Sequence, residues 1–149
     1  MKMIKGLLVA SLLALPAAGA LANQGVTDTE ILLGEVEPLT GPPSLLGVAH
    51  NLGARLAIAE ANANGGVGGR QIRLIAEDDG YVTSRTIQAV RKLIHQDRVF
   101  ALTSLSGSGQ ALAAMPVVAQ AGIPAMVPIG PLPALYEPPQ DNIFVVGQS

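Results

Sequence analysis

Short apolar runs alternate along this chain with longer segments in which apolar residues recur every three or four positions. The runs predict strands at 31–36, 71–76, 99–103, 123–129 and 143–146. The longer segments predict helices at 44–63, from 83 or 84 onward, and from 108 to Gly122, the last one bent at Pro116. Such alternation is typical of βαβ units. The sequence therefore predicts an α/β fold, a Rossmann-like parallel sheet with helices on both faces.

The first predicted helix contains a regular apolar pattern. Five of its residues recur at alternating intervals of three and four, namely Ala49, Leu52, Leu56, Ala59 and Ala63. Residues with this spacing line one side of a helix. We expect this side to pack on the sheet.

Residues 1–22 have the features of a secretory signal peptide. Lys2 and Lys5 precede an apolar run at 6–15, and the Ala-Leu-Ala of 20–22 fits the small-x-small cleavage pattern. The run is shorter than the roughly 20 residues that a membrane-spanning helix needs. We expect cleavage after residue 22 and a periplasmic mature chain; a retained membrane anchor is the alternative.

The mature chain, 23–149, has a length that suits one domain. Without Lys2 and Lys5 it carries seven basic residues against eleven acidic ones, and the basic residues are spread along the chain. Nucleic-acid binding would need clustered basic residues and, for single strands, aromatic stacking surfaces. No nucleic-acid partner is expected.

Four loops, at 37–47, 78–83, 104–109 and 130–133, follow the first four predicted strands. Ligands of open α/β sheets bind at these carboxyl ends. In the third loop three serines are interleaved with two glycines, so hydroxyl and N–H groups could meet a carboxylate there. The alternative is that the serines only cap the following helix. Tyr81 and Tyr136, also in loops, could contact a ligand or pack on the surface.

Other motifs favour structural explanations. The glycines of 65–69 follow a helix and precede a strand, the reverse of a phosphate-binding loop, so they predict a turn. The serines lack the flanking glycines of a nucleophile elbow, and His50 and His95 lie on predicted helices, so no catalytic residue is assigned. The carboxylates of 77–79 alternate in direction and predict a solvated strand end rather than a metal site. No metal or cofactor is expected.

Five motifs occur together in one order: Leu-Thr-Gly-Pro at 39–42, Glu-Ala-Asn-Ala-Asn-Gly-Gly-Val at 60–67, Glu-Asp-Asp-Gly at 77–80, the serine and glycine turn, and Ala-Gly-Ile-Pro at 121–124. No single motif is specific, but the ordered set resembles the leucine/isoleucine/valine-binding type of periplasmic substrate-binding proteins of ABC transporters. The resemblance spans the whole mature chain.

This resemblance implies one lobe of a type I periplasmic binding protein, a two-lobed clamp that closes on an amino acid or a related small solute for the permease subunits of an ABC transporter. It implies that Ser106 and backbone groups near it hold the ligand carboxylate, and that the turn from Ile129 to Pro131 contacts the amino group. The ligand-binding residues expected on this basis are Ser104, Leu105, Ser106, Ile129, Gly130, Pro131, Leu46 and Tyr81.

Two positions depart from the amino-acid-binding pattern. Pro131 stands where a hydroxyl residue is usual and offers neither O–H nor N–H, and Leu46 stands where an aromatic residue is frequent. Other carboxylates, amides or aromatic acids therefore stay open as ligands.

Members of this family continue for on the order of 200 residues beyond the position of Ser149. The second lobe is thus expected to be absent here, and a single lobe is expected to bind weakly because it cannot enclose a ligand. A ligand-sensing domain of a receptor and an α/β enzyme are the alternative functions.

Overall fold

The computed structural model describes residues 24–128 and 132–146. Within them, five strands form one sheet in the order β2-β1-β3-β4-β5, and every neighbouring pair is parallel. The elements in chain order are β1 (Glu30–Glu37), α1 (Ser44–Ala63), β2 (Gln71–Asp78), α2 (Thr83–His95), β3 (Ala101–Leu105), α3 (Ser108–Ala121), β4 (Ala125–Val127), a 3₁₀ turn (Pro133–Leu135) and β5 (Ile143–Val145). The predicted fold class and the predicted order of strands and helices are confirmed.

The order of the strands explains why helices lie on both faces of the sheet. From β1 the chain moves to β2 at one edge, and it then returns past β1 to β3 and β4. Because parallel crossovers are right-handed, α1 lies on one face, while α2 and α3 lie together on the other, where they contact each other. The carboxyl ends of all five strands therefore meet at one edge of the lobe.

The apolar core lies between the sheet and the α2–α3 layer. Leu32 and Val36 of β1 point into it, and a Cβ at Gly34 would meet the side chains of Leu93 and Leu102 at 3.1 Å. Alternate residues of a strand face opposite sides. Glu35 and Glu37 consequently face α1.

A bulge in β3 changes which of its side chains face α1. Gly34 pairs with Leu102 but Glu35 pairs with Ser104, so Thr103 is an extra residue. A one-residue shift turns the following side chains to the other face of a sheet. Leu102 and Leu105 can both lie in the core, and Ser104 lies on the α1 side beside Glu35.

The prediction for the sheet-facing side of α1 is wrong. Leu52 and Leu56 are 57% and 63% exposed, and the only buried residue of α1 is Gly47. Near its carboxyl end β1 presents Glu35 and Glu37 to α1, and polar His50 and Asn51 are the residues that α1 turns toward them. The leucines are left facing outward.

The glycines of 65–69 form the turn between α1 and β2, as predicted. The N–H of Gly66 donates to the carbonyl of Ala61 at the end of α1, and Val67 forms a bridge with Arg70. In the part of the chain that the structure describes, no helix combines the length and apolarity needed to cross a bilayer.

Gly47 and Gly53 of α1 offer a matched test of this packing. A Cβ at Gly47 would lie 2.4 Å from the carbonyl oxygen of Pro38, whereas a Cβ at Gly53 would meet nothing within 4 Å. We expect Gly47→Ala to lower the free energy of unfolding by about 1–3 kcal/mol, as overpacking does. Gly53→Ala should raise it by about 0.5–1 kcal/mol, because alanine is the better helix former. Denaturant unfolding of dilute protein measures both; equal effects of the two changes would contradict the packing of α1.

Candidate functional site

The loop after β1 is tied to the end of β2 by one carboxylate. Asp78 Oδ1 accepts hydrogen bonds from the N–H groups of Leu39 (2.9 Å), Thr40 (3.2 Å) and Gly80 (2.9 Å), and its Oδ2 accepts the hydroxyl of Thr40 at 2.6 Å. The Thr40 hydroxyl, with these N–H groups, holds the pKa of Asp78 below its ordinary value. An ionised Asp78 therefore fixes the first loop against the second.

The two other carboxylates of the 77–79 segment point elsewhere. Glu77 pairs with Lys92 at 2.6 Å, whereas Asp79 is fully buried, where it accepts the hydroxyl of Thr86 at 2.6 Å and the N–H of Tyr81 at 2.8 Å. The expectation of a solvated strand end is thus wrong for Asp79, which anchors the start of α2. Among residues 24–128 and 132–146, no three metal-ligating side chains converge.

The serines after β3 bind a buried carboxylate. Ser104 Oγ donates to Glu37 Oε1 and Ser106 Oγ donates to Glu37 Oε2, and Glu37 has no exposed surface. His50 Nδ1 lies 3.6 Å from Glu37 Oε1 and 3.4 Å from Ser106 Oγ. A buried carboxylate needs such partners because it has lost its water. Ser104 and Ser106 therefore do not cap α3, whose N-cap, Gly107, has no side-chain hydrogen bond.

The arrangement of Ser106, His50 and Glu37 differs from that of a catalytic triad. A triad uses one imidazole nitrogen for the serine and the other for the acid. Here the same nitrogen, Nδ1 of His50, faces both Ser106 and Glu37. Ser106 itself donates to the carboxylate, so the cluster holds Glu37 in place rather than activating a hydroxyl.

A second buried carboxylate, Glu35, lies two residues before Glu37 in β1, on the same face of the sheet. It accepts a hydrogen bond from Asn51 Nδ2, and Asn51 Oδ1 accepts one from Arg55 Nε at 2.9 Å. Burial raises the pKa of Glu35 above the ordinary 4.5, and Glu37 adds to this, although the hydrogen bond from Asn51 opposes it. A cavity of about 340 Å³ opens beside Glu35, between α1 and the sheet, and is lined by Glu35, Ala49, His50, Gly53, Ala54, Thr103, Ser104 and Pro128.

Tyr81 joins the second loop to the third. It has a left-handed backbone, φ 63°, and its side chain is half exposed. Gln110 Nε2 donates to the Tyr81 carbonyl at 3.1 Å, and a Cβ at Gly107 would lie 2.8 Å from Cε2 of the ring. Only a glycine at position 107, where φ is 91°, lets the ring lie against the start of α3.

Of the residues predicted to bind ligand, Ser104 and Ser106 both donate hydrogen bonds to Glu37. Tyr81 lies beside the turn that follows these serines. The Leu105 side chain is in the core, so only its backbone faces the site. Leu46, in the first turn of α1, is 59% exposed. The turn from Ile129 through Gly130 to Pro131 lies outside the described residues.

Sequence reasoning missed Glu35, Glu37, His50 and Asn51. A signal was present, because two acids at alternate positions near the end of a predicted strand must face the same side. Their partners on α1, His50 and Asn51, could be identified only from a structure that shows α1 covering that side of the sheet.

Removal of the Ser106 hydroxyl tests the buried cluster. We expect Ser106→Ala to lower the free energy of unfolding by about 1.5–3 kcal/mol, the usual loss for a hydrogen bond to a charged group. In a Glu37→Gln background the same change should cost clearly less, because the charge is gone. Denaturant unfolding of the four proteins in this cycle measures the coupling, and additive effects would contradict the contact.

The raised pKa of Glu35 predicts a pH dependence of stability. The folded state binds this proton more tightly than the unfolded state, so the free energy of unfolding falls as pH rises from about 4.5 through the raised value. Glu35→Gln keeps an oxygen that accepts the hydrogen bond from Asn51. Because glutamine does not titrate, the free energy of unfolding should no longer fall with pH for this reason. The variant should gain more stability relative to the native chain at pH 7 than at pH 4. A gain that is the same at both pH values in thermal unfolding would argue against a buried, ionisable Glu35.

This chain is similar in sequence and in fold to known proteins. A family model described as periplasmic binding protein matches residues 30–149. The chain is 35% identical over 113 residues to Leu/Ile/Val-binding protein homolog 7 of Brucella suis biovar 1 (strain 1330), an alignment that covers 76% of this chain and 28% of that protein.

Two solved structures have similar folds. The substrate-binding protein LivJ of a branched-chain amino acid transporter from Streptococcus pneumoniae, in complex with isoleucine, superposes with a TM-score of 0.74 at 28% identity, over 79% of this chain and 34% of that one. A fatty acid ABC transporter substrate-binding protein from Thermomonospora curvata superposes with a TM-score of 0.65 at 28% identity, over 70% of this chain and 26% of that one.

The chain spans 28% of the length of the Brucella relative. Its match to the family model covers most of its residues, and its sheet matches one lobe of a type I periplasmic binding protein. This chain belongs to the periplasmic binding protein family, and within it to the leucine/isoleucine/valine-binding type.

Proposed function

We propose that this chain is the amino-terminal ligand-binding lobe of an extracytoplasmic solute-binding protein that delivers a branched-chain amino acid, or a related small carboxylate or amide, to an ABC transporter. The family supports a solute-binding role, and the relatives named for leucine, isoleucine and valine support the amino-acid class. The fatty acid relative supports a wider range of carboxylates.

One observation carries the proposal, the convergence of three loops around the start of α3. Asp78 joins the first loop to the second, and Tyr81 joins the second to the third. The ligand sites of open α/β sheets form at such carboxyl ends. A small solute would therefore meet groups from β1, β2 and β3 at once.

The ligand carboxylate would bind backbone N–H groups at the start of α3. The first N–H groups of a helix lack partners within the helix, and the helix dipole favours negative charge there. The α3 N-cap, Gly107, has no side-chain hydrogen bond to compete. Ser106 serves as a positioning residue, because its hydroxyl binds Glu37 and its N–H donates to the carbonyl of Val36 at 3.2 Å.

The exposed side chains of Leu46 and Tyr81 would provide apolar surface for the body of the ligand. Ile129, Gly130 and Pro131 would add contacts from the loop after β4. Because Pro131 offers no donor for an amino-acid ligand to use, amides and simple carboxylates are included in the proposed class. The amino-terminal residues 1–22 would direct export, and the bound solute would pass to the permease subunits.

The proposal predicts weak binding at the start of α3. We expect L-isoleucine and its amide to bind the lobe at millimolar concentration, since one lobe leaves much of a ligand in water. Titration followed by ¹⁵N–¹H NMR should shift the amide signals of residues 106–110, and isobutylamine, which has no carbonyl group, should not.

Two glycines of this turn provide the variant and its control. A Cβ at Gly107 would lie 2.4 Å from Gln110 Oε1 and would require a rare left-handed backbone, whereas a Cβ at Gly109 would meet nothing within 4 Å. Gly107→Ala should abolish the shifts and Gly109→Ala should retain them. Shifts confined to other parts of the lobe, or none with any carboxylate or amide, would refute this site.

A further inference from the structure

Tyr81 has a backbone conformation that its own side chain disfavours. Its φ of 63° lies in the left-handed region, which is uncommon for a residue with a bulky side chain. The ring is 48% exposed and is not part of the apolar core, against which the other tyrosine of the chain, Tyr136, packs. A residue keeps such a backbone only where its surroundings fix it, and such residues are concentrated at ligand sites. The conformation of Tyr81 therefore has a cause other than packing of the core.

Two buried polar side chains hold the backbone of Tyr81. Its N–H donates to Asp79 Oδ1 at 2.8 Å, and its carbonyl accepts a hydrogen bond from Gln110 Nε2 at 3.1 Å. Asp79 is fully buried and Gln110 is 7% exposed. Asp79 belongs to the same loop as Tyr81, whereas Gln110 lies on α3, 29 residues further along the chain. It is thus the bond from Gln110 that fixes Tyr81 relative to the start of α3.

The amide of Gln110 does not cap its own helix. A glutamine at the third position of a helix can bond back to the N–H of the N-cap residue. Among the described residues, however, the one hydrogen bond of the Gln110 side chain goes to Tyr81. Because a carbonyl group only accepts, Nε2 must face Tyr81, and Oε1 faces Gly107, where a Cβ would lie 2.4 Å from it. The same Cβ would lie 2.8 Å from the Tyr81 ring, so Gln110 and Tyr81 share the space that a side chain at position 107 would fill.

We propose that Gln110 is a positioning residue that holds the ring of Tyr81 beside the turn at 106–110, where the ring contacts the apolar body of the bound solute. This role rests on the proposed function, in which the carboxylate of the solute binds N–H groups of the same turn. A ring that is fixed in advance does not have to be ordered by the solute, which lowers the entropy cost of binding. Solutes with an apolar side chain therefore gain affinity from Gln110, and solutes without one do not.

The position of the ring can be measured without any solute. In the native lobe, NMR should detect a nuclear Overhauser effect between the ring protons of Tyr81 and the Hα protons of Gly107. Gln110→Met keeps the length of the side chain but has no donor, so it should reduce this signal to less than half. Gln120→Met, the same change at an exposed position of the same helix, should leave the signal unchanged. Circular dichroism checks that each variant folds; Gln110→Glu, which has no donor when ionised, replaces Gln110→Met if that variant unfolds.

Solute binding separates a positioning role from a merely structural one. L-isoleucine and glycine carry the same carboxylate and amino groups and differ only in the side chain. In titrations followed by ¹⁵N–¹H NMR, Gln110→Met should lower the preference for isoleucine over glycine at least about threefold, comparable to the loss of one buried methylene group. The dissociation constant of glycine should stay unchanged in this variant, and Gln120→Met should change neither quantity.

A double-mutant cycle tests whether Gln110 acts through Tyr81. Tyr81→Ala should by itself lower the preference for isoleucine, and Gln110→Met should then lower it no further. An equal effect of Gln110→Met with and without the ring, or a native signal and preference in Gln110→Met, would overturn the proposed role of Gln110 alone. Binding of neither solute to a native lobe that shows the ring signal would refute the proposed function and this role together, so the two failures can be told apart.

Discussion

The buried carboxylate of Glu37 is the constraint around which this lobe is arranged. A carboxylate with no exposed surface is tolerated only where hydrogen-bond donors replace water. Ser104 and Ser106 provide two of them from a neighbouring strand, and His50 approaches from α1. Because the hydrogen bond to Glu37 fixes the side chain of Ser106, it also helps to fix the turn at Gly107 and the start of α3. The ends of β1 and β3 and the proposed ligand contact thus depend on one buried group.

The bulge in β3 is what makes this arrangement possible. If Thr103 paired regularly with Glu35, Ser104 and Ser106 would face the α2–α3 layer and Leu105 would face the same side as Glu37. With it, Leu102 and Leu105 complete the core while the serines bind the carboxylate. One backbone irregularity therefore satisfies packing on one face of the sheet and hydrogen bonding on the other.

The same carboxylates explain the unusual exposure of α1. A helix over an apolar sheet buries its own apolar side, but α1 lies over Glu35 and Glu37 and turns His50 and Asn51 toward them. Its leucines then have no partner in the described part of the chain. The polar contacts beneath α1 therefore leave its leucines on the outer side of the helix.

The sequence by itself determined the strand and helix order and the parallel sheet, because hydrophobic periodicity and turn residues are local properties. It also carried enough ordered motifs to indicate the family. Only the tertiary structure decided the partners of Ser106, the burial of Asp79 and the direction of Leu52 and Leu56. Those depend on strand register and on which helix covers which face. Both are set by contacts between residues far apart in the chain, which local spacing does not encode.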